Sequence, residues 1–161
     1  MSRILLIDDD EAVREGTEML LDAKGFDVVA VADGQSGVDA VKSGSFDLAI
    51  VDVFMPGMDG LQATRAMRQL DPKLAVIAVS GFMMGDRLLE MPNFDTMAAE
   101  AGAFLTLYKP FKPDALLQAI DTALNGAAPV VRSHQGKSLA VNQGVSLGRR
   151  SRASREGVFG R

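Results

Sequence analysis

Three carboxylates, one hydroxyl and one amine stand directly after short apolar runs in this sequence. Asp8 and Asp9 follow residues 4–7, Asp52 follows 48–51, Ser80 follows 74–79 and Lys109 follows 104–108. If those runs are neighbouring parallel strands about 5 Å apart, the polar groups converge on one edge of a sheet. Carboxylates that close repel one another by several kcal/mol in partly dry protein and call for a cation. Oxygen donors without His or Cys select a hard ion, and Mg²⁺ is the expected one. Carboxylates, Mg²⁺, an ammonium and a hydroxyl are together the parts of a phosphoryl-transfer site. Asp52 is then the nucleophile and forms an acyl phosphate. The metal and Lys109 neutralise phosphoryl oxygens, and Ser80 hydrogen-bonds one of them.

The elements that must hold these groups are legible in order. Ile4-Leu5-Leu6-Ile7 reads as a buried strand, and Asp10 caps a helix on which Val13, Thr17, Leu20 and Leu21 keep helical spacing up to Gly25. Residues 27–31 form a second strand, and Asp33-Gly34 turns into a helix that ends at Gly44. Residues 48–51 are apolar and partly β-branched, as in a strand buried on both faces. Pro56, Gly57 and Gly60 force a loop after Asp52, and a helix follows from about residue 60 to 70. Residues 74–79 and 104–108 supply the fourth and fifth strands, and a last helix opens on Pro113 and stops at Gly126. Alternation of strands and helices with right-handed crossovers predicts an α/β fold: a doubly wound, five-stranded parallel sheet in the order 2-1-3-4-5, with helices on both faces.

Composition sets the outer limits. The chain has 161 residues, 47% of them hydrophobic, and no cysteine, so disulfides and thiolate metal sites are excluded. No apolar run approaches the length of a membrane span, and a cytoplasmic location is expected. The net charge of −4 hides a split. Residues 1–126 hold 10 Lys+Arg against 20 Asp+Glu, whereas residues 127–161 hold 7 against 1. A boundary near Gly126 follows, with a body at 1–126 and a basic, flexible tail at 127–161. Gly136-Lys137-Ser138 lacks the earlier glycine of a phosphate-binding loop, Val131 standing in its place, and His134 is a lone histidine in the tail.

The pattern resembles the receiver domain of two-component response regulators, chemotaxis-regulator-like and stand-alone, a family whose sheet takes the 2-1-3-4-5 order. The resemblance covers roughly residues 3–125. It rests on Ile-Leu-Leu-Ile-Asp8-Asp9-Asp10, on Asp52 with Pro56 and Gly60 downstream, on Ser80, and on Lys109-Pro110-Phe111. It implies that Asp52 accepts phosphate from a kinase histidine. Asp9, Asp52 and the backbone carbonyl of Phe54 would ligate Mg²⁺, with Asp8 acting through water. It further implies a cis Lys109–Pro110 bond and partners in a sensor histidine kinase or histidine phosphotransfer protein and a downstream protein. Nucleic acid and membrane are not expected partners. Receivers assist their own phosphorylation and dephosphorylation but are signalling proteins, not enzymes in the usual sense.

The sequence departs from the family in three places. Receivers commonly carry an aromatic three residues before the lysine, where this chain has Thr106; Tyr108 lies on the same strand face, so Ser80, Thr106 and Tyr108 are the candidate switch residues. The segment between Ser80 and Lys109 is longer than usual, with a Met-rich stretch at 82–92 before a helix restarting through Phe94, Met97 and Ala101. Phe54 and Phe82 follow Asp52 and Ser80 by two residues, and neither can orient water, which predicts a long-lived phosphoryl group. A haloacid-dehalogenase-type phosphatase would want an acid two residues after its nucleophile, and Phe54 stands there. Two other readings stay open: a relay intermediate that passes phosphate to a histidine phosphotransfer protein, and a DNA-binding regulator using the basic tail.

Overall fold

The computed structural model describes residues 1–81 and 93–126, together with the backbone of 130–132 and 138–140. The Met-rich stretch at 82–92, including Phe82, lies outside the described residues, as do His134 and the arginines of 149–155.

Five parallel strands form the central sheet: β1 (Arg3–Ile7), β2 (Asp27–Val31), β3 (Leu48–Asp52), β4 (Ala75–Ser80) and β5 (Leu105–Tyr108). Their order is β2-β1-β3-β4-β5, as the alternating pattern predicted. The crossovers are α1 (Glu11–Ala23), α2 (Gly34–Ser43), α3 (Gly60–Leu70) and α4 (Phe94–Ala101), with α5 (Pro113–Leu124) after β5. The chain enters α1, α2 and α3 through acidic caps. Asp10 accepts from the Val13 N–H at 3.1 Å and Asp33 from Ser36 at 2.8 Å. Asp59 and Gln62 form a reciprocal capping box at the start of α3.

Both faces of the sheet are covered, which is why β1 and β3 read as unbroken apolar runs and not as alternation. One core layer joins Ile4, Leu6, Ile50 and Ile77 to Leu21 of α1 and Leu116 and Ile120 of α5. The other joins Leu5, Ile7, Val51 and Val76 to Val38 of α2 and Met67 of α3. A third cluster sets Phe94 and Ala98 of α4 against Val53, Leu61 and Ala78. Full burial of such side chains stabilises the fold by about 1.5–3 kcal/mol apiece. Register then places the strand ends side by side: Ile7 opposite Val51, Asp52 opposite Val79, and Ser80 opposite Tyr108.

Two short strands are described in the tail. β6 (Val130–Arg132) and β7 (Ser138–Ala140) pair antiparallel, with Val130 opposite Ala140. Val130 and Val131 are β-branched and favour extended backbone, a local preference that the polar composition around them masks. Among the described residues, no helix is long and apolar enough to cross a membrane.

Candidate functional site

Asp52 is the last residue of β3 and only 7% exposed. It is held there because β4 pairs with it and the residue after it is tied to both β4 and the following loop. The Val53 N–H donates to the Val79 carbonyl at 2.8 Å, and the Gly60 N–H returns to the Val53 carbonyl at 3.0 Å. That return folds residues 53–60 back over the strand end, with Gly57 at φ 79° allowing the reversal. A side chain at Gly60 has no room: a Cβ there would lie 2.2 Å from the Asp52 carbonyl oxygen.

The predicted carboxylates converge. Asp8, Asp9 and Asp52 each offer an oxygen, and these atoms lie within 4.8 Å of one another. Asp8 and Asp52 are buried while Asp9 is exposed, so the cluster opens to solvent on the Asp9 side. Lys109 comes from the end of β5 and its Nζ bridges the two buried acids, 2.7 Å from Asp8 Oδ2 and 3.3 Å from Asp52 Oδ2. The Lys109–Pro110 bond is cis, as the resemblance implied. Ser80 closes β4, is buried, and receives the Lys109 N–H on its carbonyl at 2.8 Å. The five side chains singled out from the sequence are thus on one rim.

The electrostatics follow from this crowding. Burial raises the Asp52 carboxyl above 3.8; Lys109 opposes that rise, the Asp8 charge adds to it, and the net direction is upward. Burial alone would lower the Lys109 ammonium, but its hydrogen bond to Asp8 and the two carboxylate charges outweigh burial and raise it. Lys109 is therefore a permanent cation. Three oxygen-donor carboxylates with one partly compensating ammonium suit a hard divalent cation well. The Phe54 N–H donates to Asp52 Oδ1 at 3.2 Å, and the Phe54 side chain is 48% exposed at the rim.

Two contacts were not foreseen from the sequence. Arg14, one turn into α1, donates from Nη1 to the backbone carbonyl of Asp8 at 2.8 Å and so braces the loop that carries the acids. Its position six residues after Asp8 was the available signal. On β5, Thr106 and Tyr108 share a face, as predicted, but neither stands alone: both donate to Asp95 Oδ1 of α4, at 2.5 and 2.9 Å. Burial and the Asp95 carboxylate raise the Tyr108 phenol, which keeps it a donor at neutral pH.

A groove of about 530 Å³ opens beside this rim, lined by Ala12, Val13, Gly16 and Leu20 of α1 and by Lys109 and Phe111. Its lining is mostly apolar.

Residues 4–121 match the response regulator receiver domain family. The chain is 33% identical over 156 residues to the transcriptional regulatory protein FixJ of Bradyrhizobium diazoefficiens, covering 97% of this chain and 73% of that one. It is 36% identical over 124 residues to the chemotaxis protein CheY of Bacillus subtilis, covering 76% of this chain and 98% of that one. Among solved structures, the response regulator protein TrrA of Thermotoga maritima, crystallised in complex with Mg(2+)-BeF, superposes with a TM-score of 0.65 at 25% identity, covering 77% of this chain and all of that one (100%).

Proposed function

The chain belongs to the response regulator receiver domain family, and from that premise we propose that Asp52 accepts a phosphoryl group from a donor histidine. The donor is a sensor histidine kinase or a histidine phosphotransfer protein. The observation that carries the reading is the Lys109 ammonium held between two buried carboxylates, Asp8 and Asp52, at the mouth of an open acidic cluster.

The chemistry assigned to this chain is limited. An Asp52 oxygen attacks phosphorus, the N–P bond of the donor breaks, and the imidazole leaves and takes a proton from solvent. Lys109 stays anchored on Asp8 at 2.7 Å while its longer contact to Asp52 is free to pass to a phosphoryl oxygen. Ser80, one residue beyond the register partner of Asp52, would donate to a second oxygen. Asp9, Asp52 and the Phe54 carbonyl would hold Mg²⁺ directly and Asp8 through water. When bound, Mg²⁺ supplies positive charge against the oxygens of the transferring group. The groove along α1 ends at Lys109 and would seat the apolar face of the donor.

The product is a changed surface, read by a downstream protein, so the role is signalling. Residues 1–126 form the acting domain, residues 127–161 an appended basic tail, and the setting is the cytoplasm. The reading is tested by incubating the full chain with acetyl phosphate and Mg²⁺ and mapping the product. A single base-labile phosphoryl on Asp52, absent in Asp52→Asn and without metal, is expected. Modification elsewhere, or none, would overturn it. Transfer of the label from Asp52 to a histidine phosphotransfer protein would assign the relay role, and a duplex-DNA mobility shift lost on truncation at Gly126 would assign the DNA-binding one.

A further inference from the structure

Arg14 carries a charge that its place in the helix does not favour. It closes the first turn of α1, which begins at Glu11, and a cation there faces the positive end of the helix dipole. Nor is it held by an acid. Among the described residues the ion pairs are Arg3–Asp27, Lys42–Asp39 and those of Lys109 with Asp8 and Asp52. Arg14 belongs to none of them, although Asp10, Glu11, Glu15 and Glu18 are close in sequence. Its Nη1 donates instead to a neutral group, the Asp8 carbonyl, at 2.8 Å.

That carbonyl is one the sheet cannot satisfy. Ile7 is the last residue of β1 in register with either neighbour, opposite Val31 of β2 and Val51 of β3. The Asp8 N–H still reaches the Val31 carbonyl at 3.2 Å, but β2 ends there and the chain turns into α2. An acceptor left over at a strand end needs a donor, and Arg14 supplies it from the facing helix. The other two oxygens of Asp8 are held as well. Oδ1 accepts the Asp10 N–H at 2.9 Å and Oδ2 the Lys109 ammonium at 2.7 Å. Asp9 differs: it is exposed, and among the described residues its carboxylate accepts no hydrogen bond.

The peptide joining the two acids is a rigid plane, so fixing the Asp8 carbonyl also fixes the direction in which the chain enters Asp9. We propose that Arg14 is a positioning residue of the metal site. Through the Asp8 carbonyl it holds the backbone of Asp9 where that carboxylate, with Asp52, can take Mg²⁺. This rests on the acidic cluster being the metal site of the acceptor reading above. A positive charge near a cation site would by itself weaken metal binding, whereas a brace that presents the ligands ready-placed strengthens it. The two effects have opposite signs. A charge-assisted bond to the very peptide that links the acids favours the brace.

The test is Mg²⁺ binding by calorimetry to the full-length Arg14→Met protein, without phosphodonor. Methionine keeps an unbranched apolar stem and removes both the charge and the donors. The Kd for Mg²⁺ is expected to rise about tenfold, the low end for losing a group that orients a metal ligand. Arg14→Lys, which keeps a cation with N–H donors, should recover part of the loss. A lower Kd in Arg14→Met would mean that the cation only repels the metal, and would overturn the proposal. Reduced thermal stability with an unchanged Kd would make the contact merely structural and overturn it too. Phosphorylation of Arg14→Met by acetyl phosphate should be slow at low Mg²⁺ and reach the wild-type rate once Mg²⁺ saturates; a deficit that survives saturation also overturns the proposal. If Arg14→Met does not fold, Arg14→Gln takes its place with the same expectation. A wild-type chain that binds Mg²⁺ in this Arg14-dependent way but takes no phosphoryl on Asp52 overturns the acceptor reading alone. One that binds no Mg²⁺ overturns the positioning role.

Discussion

Replacing Asp52 by Asn is expected to stabilise the metal-free protein, although it removes an ion pair. At an effective dielectric of about 20, the Lys109 contact at 3.3 Å contributes about 5 kcal/mol of attraction that the variant loses. Against this, Asp8 offers a carboxylate oxygen within 4.8 Å, a repulsion of about 3.5 kcal/mol or more that disappears. Ending the burial of a charged carboxylate recovers about 3–4 kcal/mol more. Lys109 is not stranded, because its 2.7 Å pair with Asp8 remains. The net gain is about 2 kcal/mol, or about 6 °C in Tm for a chain of this size. The pH dependence has a definite sign. Burial raises the folded Asp52 pKa above 3.8, so the native state binds the proton more tightly than the unfolded chain does. Ionisation therefore costs stability as pH rises from 3.8 through the folded pKa, and the advantage of Asn is absent below that window and complete above it. Thermal melts in EDTA across that range, repeated with Mg²⁺, make the assay. Mg²⁺ at ten times its Kd should raise wild-type stability by about 1.4 kcal/mol and narrow the gap. An Asn variant no more stable than wild type in EDTA, or an advantage that Mg²⁺ leaves untouched, would refute the reasoning.

Gly60→Ala places a Cβ 2.2 Å from the Asp52 carbonyl oxygen and 2.6 Å from Val53 Cα, both backbone atoms that cannot yield cheaply. A loss of about 3 kcal/mol in urea denaturation is expected, with weakened Mg²⁺ binding, because the displaced backbone is that of the nucleophile. Phe54→Asn puts a group that can orient water at the exposed rim beside Asp52, and should shorten the life of the phosphoryl group about tenfold, a barrier change of about 1.4 kcal/mol read by loss of label. Truncation after Gly126 should leave the melting temperature and the rate of phosphorylation by acetyl phosphate unchanged, since among the described residues the core layers are built from β1–β5 and α1–α5, which end at Leu124. A fall in either would place the domain boundary further on.

The sequence by itself determined the strand order, the rim and the members of the acidic cluster. Each of those depends on one local fact repeated: an apolar run buried on both faces, ended by a polar residue, with glycine or proline behind it. Asp8, Asp52, Ser80 and Lys109 are legible because parallel strands bring all their ends to one edge whatever the helices do. Only the tertiary structure decided who pairs with whom. That Asp8 and not Asp52 is the nearer partner of Lys109 depends on the reach of one side chain across the sheet, which no spacing encodes. Asp95 reads in the sequence as an ordinary acid in a first helical turn, and Arg14 as an exposed helix charge. Their partners, the β5 hydroxyls and the Asp8 carbonyl, are set by how α4 and α1 are rotated and seated against the sheet. Periodicity shows which face of a helix is buried. The azimuth that brings one oxygen within 3 Å of two hydroxyls comes from packing, where helix, loop and strand settle their positions together.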